Sequence, residues 1–398
     1  MKISPFLFLA ALLVAPAGAA ERLVVTVAHG LAAARPAETI SVPWTEVAGR
    51  LPGAQPDSLV VRDAAGAALA YQFTNFQPDD VAGRYGDVLF QHDFAAGEAR
   101  AVFTVERAPG PVPPWPAKVF ARYVPERFDD FAFENDRLAH RVYGPALATP
   151  AAGRHRLTGS GLDLWAKRVR YPIIDRWYLR GHDAYHRDNG EGLDFYTVGT
   201  SRGLGGTGVW AAGRLHPSGN WSSWRVLANG PLRAVFELDY DAWDAGGVRV
   251  SERKRFTVDA GANFHRVETT LTFTGGPEVT LALGLAKAKA AGRELPAVVV
   301  NSPATGRLSR WTTYPKDAEG QLGTAVLLGA GAFAATTEDE LNQLALVPVK
   351  SGQPFCYYVG AGWSRSGDFA TAAEWDAAVA ATAARLRSPV TISLSVAP

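Results

Sequence analysis

Short strand-like segments separated by turns recur along almost the whole chain, and this feature restricts the fold most strongly. The segments are rich in Val, Leu, Thr and Phe, which favour a pleated, half-buried strand. Strands are predicted at 23–27, 40–44, 232–240, 248–258, 264–273, 281–285, 297–300, 325–328, 344–349 and 390–396. A chain of 398 residues built in this way is predicted to be mainly β, with its strands paired into sandwiches.

A proline-rich segment divides the predicted strands into two groups. Before it, hairpins are predicted at 59–73 and at 88–105, the second with its turn at 95–98. Prolines at five of the eight positions from 109 to 116 exclude a helix or a central strand there. We therefore predict three parts in the mature chain: an N-terminal β-sandwich at 21–108, a linker at 109–116 and a larger β domain at 117–398.

One helix is predicted, close to the C-terminus. Thr371 and Glu374 have the spacing of a capping box, in which each residue's side chain bonds the backbone of the other. The apolar residues that follow at helical spacing are Trp375, Val379, Ala383 and Leu386. Pro389 then ends the helix, because proline cannot continue one.

The first twenty residues have the pattern of an export signal. Lys2 precedes an apolar run at 6–14 that is too short to span a membrane, and small residues at 17–19 form a cleavage site. The mature chain is expected to begin near Ala20 or Glu21 and to act in the periplasm or outside the cell. No later apolar run approaches the ~20 residues of a spanning helix, so membrane insertion is not expected.

The net charge and the number of aromatic residues restrict the possible binding partners. Forty basic residues against 39 acidic ones leave no overall field, which argues against nucleic acid as a partner. The single cysteine, Cys356, excludes an intrachain disulfide. Eleven Trp, twelve Tyr and nineteen Phe supply rings that either fill the cores or stack on sugars, and we assign most of them to the cores. The sequence leaves the oligomeric state open.

Residues suited to proton transfer are concentrated in the middle of the chain, where periodicity is weak. Histidine is the side chain most readily placed for this chemistry near neutral pH. Five of the eight histidines fall in or near this segment: His140, His155, His182, His186 and His216. If a strand starts near 137, His140 shares one face with Leu138 and Val142, and Arg141 shares the other with Ala139 and Tyr143. A purely structural role for His140, as a hydrogen-bonded core residue, is the alternative.

Two further clusters in this segment have the chemistry of a binding site. Arg168 and Arg170 would project from one strand face, and a pair of guanidinium groups can grip a carboxylate. Residues 182–206 are rich in His, Tyr, Asp and Gly, which are poor core material. No cofactor or metal is predicted, although Asp188, Asn189, Glu191 and Asp194 leave a structural calcium ion as an open alternative, without the EF-hand spacing.

Four passages of the chain resemble known proteins. Residues 230–238 and 252–261 resemble central strands of galactose-mutarotase-like β-supersandwiches, which implies that fold for 117–398. Residues 133–145 and 185–206 resemble a bacterial family found beside unsaturated-uronyl hydrolases in pectin and ulvan degradation. That family includes dehydratases acting on ulvan oligosaccharides. The resemblance therefore implies a uronic-acid oligosaccharide as substrate.

The implied reaction removes water across C4–C5 of a non-reducing-end uronic acid. It needs a base for the C5 proton, an acid for the 4-hydroxyl and a cation for the carboxylate. Residue chemistry assigns catalysis to His140, His182, Tyr185, His186 and Tyr196. It assigns substrate binding to Arg141, Tyr143, Arg168, Arg170, Arg202 and Trp363. A polysaccharide lyase, a sugar epimerase and a non-catalytic carbohydrate-binding protein are the alternatives.

Overall fold

The computed structural model describes residues 22–74 and 86–397. The predicted export signal at 1–20 lies outside these residues. None of the helices in this part of the chain combines the length and apolar character needed to cross a bilayer. Strands dominate and nearly every pairing is antiparallel, which confirms the prediction of a mainly β protein.

The N-terminal region is a sandwich of two sheets around one apolar core. The five-stranded sheet runs, edge to edge, through Thr391–Ala397, Arg22–Ala28, Arg100–Arg107, Leu59–Arg62 and Ala68–Leu69. The three-stranded sheet runs through Arg35–Pro43, Asp87–Phe94 and Tyr71–Phe73. The hairpin predicted at 88–105 is wrong, because its two strands lie in different sheets. The turn at 95–98 connects the two layers instead of closing a ladder.

The last strand of the chain returns to the first. Thr391–Ala397 pairs along its whole length with Arg22–Ala28, so the C-terminus belongs to the N-terminal sheet. The proline-rich segment at 109–116 contains no helix or strand, and Val112 donates a backbone hydrogen bond to Asp57 of the sandwich. The division into domains stays a prediction, with this final strand placed outside the larger domain.

The remaining described residues form three larger sheets, of eight, five and five strands. The eight-stranded sheet contains Ser223–Asn229, Arg233–Asp244, Arg249–Asp259, Phe264–Phe273, Pro354–Trp363, Gln321–Leu327, Arg307–Thr313 and Ala297–Ser302. A five-stranded sheet contains Arg214–His216, Leu204–Ala211, Val279–Ala286, Asn342–Val349 and Ala335–Glu338. The other five-stranded sheet, which we call the middle sheet, contains Gly192–Leu193, Leu162–Lys167, Leu138–Val142, Asp130–Glu134 and Phe120–Val124. A short hairpin pairs Lys289–Ala290 with Arg293–Glu294.

One continuous core joins these sheets. Phe131 and Phe133 of the middle sheet pack on Phe236 and Phe256 of the eight-stranded sheet, with ring centroids 4.6–5.6 Å apart. Apolar residues of the remaining five-stranded sheet complete the same cluster. The middle segment is therefore a third layer of the core, where weak periodicity had suggested irregular structure.

The described residues form four α-helices outside the sheets, at Trp44–Arg50, Ile174–Arg180, His182–Tyr185 and Ala372–Arg387. The last is the predicted C-terminal helix. Its capping box is confirmed, because Thr371 accepts a hydrogen bond from the Glu374 backbone and the Glu374 side chain accepts one from the Thr371 backbone. Trp375 and Val379 are buried against the eight-stranded sheet, as their spacing predicts.

Candidate active site

Two short helices cover one face of the middle sheet and position the candidate site. Trp165, on the strand Leu162–Lys167, stacks on Trp177 at 5.4 Å and on Tyr185 at 4.8 Å between ring centroids. Glu134 accepts hydrogen bonds from the backbone N–H groups of Ile173 and Ile174. The carboxylate and Trp177 hold the first helix over the sheet, and the ring of Tyr185 holds the second.

Arg141 lies at the centre of this face, enclosed by three aspartates. Its Nε and Nη2 donate to the Asp163 carboxylate at 2.9 and 2.6 Å. The carboxylates of Asp194 and Asp130 are 3.7 and 3.8 Å from the guanidinium. All four side chains are buried, so they are a network that must be satisfied internally. Arg141 also donates to the Tyr185 hydroxyl at 3.2 Å.

The Tyr185 hydroxyl connects this network to the surface. Its oxygen is 2.8 Å from Nδ1 of His182, which lies three residues earlier on the same helical turn. The ring of His182 meets that of His186 edge to face at 4.7 Å. Tyr185 is buried, His182 is half-buried and His186 is exposed, so the three residues form a path from Arg141 to solvent.

The tautomer of His186 follows from its partner. Nδ1 lies 2.8 Å from the backbone oxygen of Asp194. A carbonyl oxygen only accepts, so Nδ1 carries a hydrogen and donates it. In the neutral ring Nε2 is therefore the nitrogen that accepts a proton, and in the protonated ring it is a nitrogen that can donate one. This is the arrangement expected of a general acid or base.

Two residues that sequence reasoning did not select complete the cluster. His155 meets His182 edge to face at 4.7 Å. Arg127 lies over the Phe128 ring at 5.0 Å, and its Nε and Nη1 have no hydrogen-bond partner among the described residues. His155 was noted only as one of several histidines in the middle segment. Nothing in the spacing around Arg127 distinguishes it from a surface arginine.

Electrostatics keep His182 neutral. Its pKa falls from 6.5 to about 4, first because of partial burial and then because His186, Arg127 and other cations lie nearby. Burial raises the pKa of the Asp130 carboxyl to about 7, against the opposing effect of Arg141. Burial, with Asp163 as a like-charged neighbour, raises the pKa of Asp194 well above its ordinary value. Perturbed groups of this kind cluster at functional sites.

The backbone beside Arg127 is strained. Phe128 and Asp129 both have the left-handed conformation, with φ of 52° and 60°. This conformation is costly for residues other than glycine and concentrates at functional sites. Gly144 packs directly on this turn, because a Cβ at that position would overlap the Asp129 carbonyl. The same turn leaves Arg127 half-buried and places the Asp130 carboxylate in the buried network.

The predicted strand from 137 is confirmed, and its two faces have different environments. Arg141 and Tyr143 share the face of the network, with the Arg141 guanidinium 5.2 Å from the centre of the Tyr143 ring. His140 points the other way and is fully buried. It stacks on Phe133 at 4.7 Å and meets His265 edge to face at 5.0 Å. The structure therefore does not bring His140 together with His182 and His186.

The two arginines predicted to grip a substrate carboxylate, Arg168 and Arg170, are already paired with carboxylates of the protein. Arg168 donates both Nη groups to Asp188, and its guanidinium lies 4.9 Å from the centre of the Trp363 ring. Arg170 is bound to Asp368 at 2.7 Å. Trp363 is buried and donates its Nε1 hydrogen to the Glu319 backbone, as expected of a core ring. Arg168 and Trp363 lie together, apart from the histidines.

Arg202 and Tyr196 are interior residues. Arg202 donates to Ser160 and to the backbone oxygens of Thr207 and Thr200, and burial lowers its pKa to about 10. Tyr196 is buried and its hydroxyl has no hydrogen-bond partner among the described residues. Neither side chain contacts the histidine cluster. Of the eleven predicted site residues, Arg141, Tyr143, His182, Tyr185 and His186 are brought together.

The calcium alternative does not fit the residues present. Glu191 accepts hydrogen bonds from Tyr171, Trp177 and two arginines. Asp188 is bound to Arg168 and Asp194 faces Arg141. These carboxylates are thus neutralised by protein cations. Within residues 22–74 and 86–397, no three His, Cys, Asp or Glu side chains are grouped to hold a metal ion.

Comparison with known proteins establishes the family. Residues 27–392 match the family described as Domain of unknown function (DUF4861). The chain belongs to this family. It is 30% identical over 387 residues to Uncharacterized protein P7 of Formosa agariphila, covering 94% of each chain.

Solved structures with a related arrangement are more distant. An alpha-mannosidase and a Glycosyl Hydrolase Family 38 protein, both from Enterococcus faecalis, each give a TM-score of 0.47 at 11% identity over 94% of this chain. The chain spans about half of those proteins, 46% and 47%. The galactosidase domain of alpha-galactosidase-sucrose kinase gives a TM-score of 0.32 at 11% identity, over 61% of this chain and 42% of its own.

Proposed function

We propose that this protein is a carbon–oxygen lyase that removes water across C4–C5 of a uronic acid at the non-reducing end of an oligosaccharide. The observation that carries the proposal is the histidine cluster, in which His182 and His186 lie near Arg127, two of whose buried nitrogens have no hydrogen-bond partner among the described residues. The reaction needs a base, an acid and a cation beside a carboxylate, and this cluster offers all three. The resemblance of 133–145 and 185–206 to an oligosaccharide dehydratase family supports the same reaction.

Arg127 is the residue we assign to the substrate carboxylate. Arginine has a planar fork of donors that matches a carboxylate and stays charged at any working pH. Arg141 cannot take this role while its fork is held by Asp163. Arg168 and Arg170 are paired in the same way. Negative charge builds on the carboxylate as the C5 proton leaves, and a fixed cation stabilises that charge.

His182 is the residue we assign as the base. With a pKa of about 4 it is neutral at pH 7 and its ring accepts a proton. A bound carboxylate would offset the cations that lower this pKa, so substrate binding strengthens the base. The proton leaves C5, and its electron pair forms the C4=C5 double bond as the C4–O4 bond breaks. His186, with Nδ1–H held by Asp194, supplies a proton from Nε2 to the departing hydroxide, which leaves as water.

Tyr185 and Arg141 position the base. The Tyr185 hydroxyl fixes the ring of His182, and Arg141 fixes that hydroxyl. Asp163 holds Arg141 from behind. This assignment moves the predicted carboxylate contact from Arg168, Arg170 and Arg202 to Arg127.

The test uses a saturated oligosaccharide with a uronic acid at its non-reducing end. Wild-type protein should produce ultraviolet absorbance from the unsaturated uronate and lower the product mass by one water. His182→Gln and His186→Gln should each lower turnover by ~10²–10⁴-fold, the range for a placed acid or base. His216→Gln, which changes a histidine paired with Arg214 on another sheet, is the matched control and should keep full activity. Full activity in both site variants would refute the assignment, and epimerisation without absorbance would refute the reaction.

A further inference from the structure

A cavity lies outside the histidine cluster, beside the eight-stranded sheet and the C-terminal helix. It encloses about 480 Å³ between three parts of the chain: the segment 34–39, the eight-stranded sheet and the C-terminal helix. Ligand pockets are typically ~300–1,000 Å³ and occur preferentially where structural units meet. The cavity is therefore large enough for one or two sugar rings.

The walls of this cavity carry an excess of positive charge. Four guanidinium groups, of Arg35, Arg233, Arg266 and Arg385, face three carboxylates: Glu38 and Asp259 line the cavity, and Glu268 is paired with Arg266 beside it. Glu38 is shared by two of them, since it accepts from Arg35 at 3.1 Å and from Arg385 at 2.8 Å. One carboxylate between two cations leaves this side of the cavity positive.

Aromatic rings form part of the floor. Tyr358 and Arg266 lie directly opposite each other on paired strands, so a ring and a guanidinium are side by side. Phe264 lies one position before His265 on the same strand and is stacked on Trp375 at 5.5 Å, which holds it in place. Phe369 adds a third ring. Rings accept the apolar face of a ligand, and arginines accept its charged substituents.

Arg266 is the cation best placed to meet a ligand. Its side chain is 33% exposed and lines the cavity. Its contacts with Glu268 and Cys356 both use one nitrogen, Nη2. Arg35, by contrast, is fully buried, and its three nitrogens are bonded to Glu38 and to the backbone oxygen of Ser388. Arg35 therefore builds the wall, and Arg266 faces the space.

We propose that this cavity is a second, non-catalytic binding site for a saccharide that carries an acidic group, either a carboxylate or a sulfate ester. The saccharide ring packs on Tyr358, and Arg266 binds the acidic group. The proposal does not depend on the reaction assigned to His182 and His186, because the cavity is built by different residues. A site of this kind would hold a longer chain while its end is processed elsewhere.

Isothermal titration of the full chain tests the proposal with four probes: a uronate disaccharide, a sulfated neutral disaccharide, the unsubstituted neutral disaccharide and inorganic sulfate. Each is titrated into protein carrying His182→Gln and Arg127→Gln, so that the first site neither turns over nor grips a carboxylate. We expect at least one acidic disaccharide to bind, and at least tenfold more tightly than the neutral one. The two acidic probes decide between a carboxylate and a sulfate.

Substitutions in the cavity locate the binding. Tyr358→Ala and Arg266→Gln should each weaken binding of the acidic disaccharide at least tenfold. Arg253→Gln, which changes an exposed arginine of the same sheet that is paired with Asp239, is the matched control and should not alter it. In the otherwise wild-type chain, Tyr358→Ala should leave turnover of the shortest substrate unchanged. Equal binding of neutral and acidic disaccharides, equal binding of inorganic sulfate, or binding insensitive to both cavity substitutions would overturn the proposal.

Discussion

The substitution His265→Leu should make the protein less sensitive to acid. His265 is fully buried, and neither ring nitrogen has a hydrogen-bond partner among the described residues. Burial lowers its pKa from 6.5 to about 3. The unfolded chain therefore binds a proton below pH 6.5 that the folded chain does not bind until about pH 3. The stability that depends on a neutral His265 is therefore fully present above pH 6.5, and it is lost as the pH falls from 6.5 towards 3.

The size of the effect follows from the shift. Each pH unit below 6.5 costs about 1.4 kcal/mol, so His265 alone lowers the free energy of unfolding by about 2 kcal/mol at pH 5. Leucine has no titrating group and fills similar space beside Phe133 and His140. The neighbouring His140 adds a loss of the same sign in both proteins, because burial, followed by His265, lowers its pKa well below 6.5.

Urea unfolding followed by tryptophan fluorescence at pH 7.5 and pH 5 measures the difference. Wild-type protein should lose about 2 kcal/mol more than the variant between the two pH values. Phe133→Leu is the control, because it changes a ring in contact with the same histidines without removing a titrating group. It should lower stability by the same amount at both pH values. An equal pH dependence of wild type and His265→Leu would show that His265 is already charged or solvated in the folded state.

Three further outcomes are expected. The pH profile of kcat/KM reports the free enzyme, and its acid limb should fall near pH 4, where His182 titrates. The acid limb of kcat should lie at higher pH, because a bound carboxylate favours the protonated ring. An acid limb near pH 6.5 in both profiles would contradict the assigned base. Tyr185→Phe should lower kcat at least tenfold with little change in KM, measured by initial rates, since the hydroxyl positions His182 without touching substrate; a pure KM effect would argue for a binding role. Thr371→Ala should cost about 1 kcal/mol in urea unfolding through loss of the helix cap, and Thr371→Ser should restore most of it.

Much of the β-architecture is predictable because most strands have one buried face. The strand Phe264–Phe273 alternates buried and half-buried or exposed residues along its length, and its bounds match those predicted. Apart from the predicted strand Leu138–Val142, the middle sheet is not evident in the sequence, because strands such as Asp130–Glu134 and Leu162–Lys167 are buried on both faces. A strand of this kind shows no alternation, so its period cannot be read from the sequence.

Strand pairing is less predictable than strand position. Both strands of the predicted hairpin at 88–105 exist, but Asp87–Phe94 pairs with Arg35–Pro43 and Arg100–Arg107 pairs with Arg22–Ala28. The turn at 95–98 has residues that suit either a hairpin or a crossing between layers. The choice depends on which distant strand offers a buried face, and a local pattern carries no such information.

The candidate site is also predictable only in part. The i, i+3 spacing of His182 and Tyr185 is a local feature, and the two side chains do meet. The opposite faces of His140 and Arg141 also follow from strand geometry. By contrast, Arg127 reaches the candidate site only through the packing of the turn at 128–129. Asp163 reaches it only through the pairing of its strand with that of Arg141. Neither has a sequence signal that separates it from a surface charge.

The enclosure of Arg141 supports the proposed binding of an acidic sugar, because it separates the buried charges from the cation near the histidine cluster. Three aspartates surround this guanidinium, and burial raises the pKa of Asp130 to about 7 and that of Asp194 well above its ordinary value, which reduces the negative charge of the network. The buried network is thereby kept closer to neutral, and the half-buried Arg127 supplies positive charge near His182. A substrate carboxylate would meet Arg127 without competing with Asp163 for Arg141. Arg127→Lys therefore separates the charge of Arg127 from its forked geometry, since lysine keeps the positive charge near His182 but lacks the fork. This variant should raise KM for uronate substrates with little change in the free energy of unfolding.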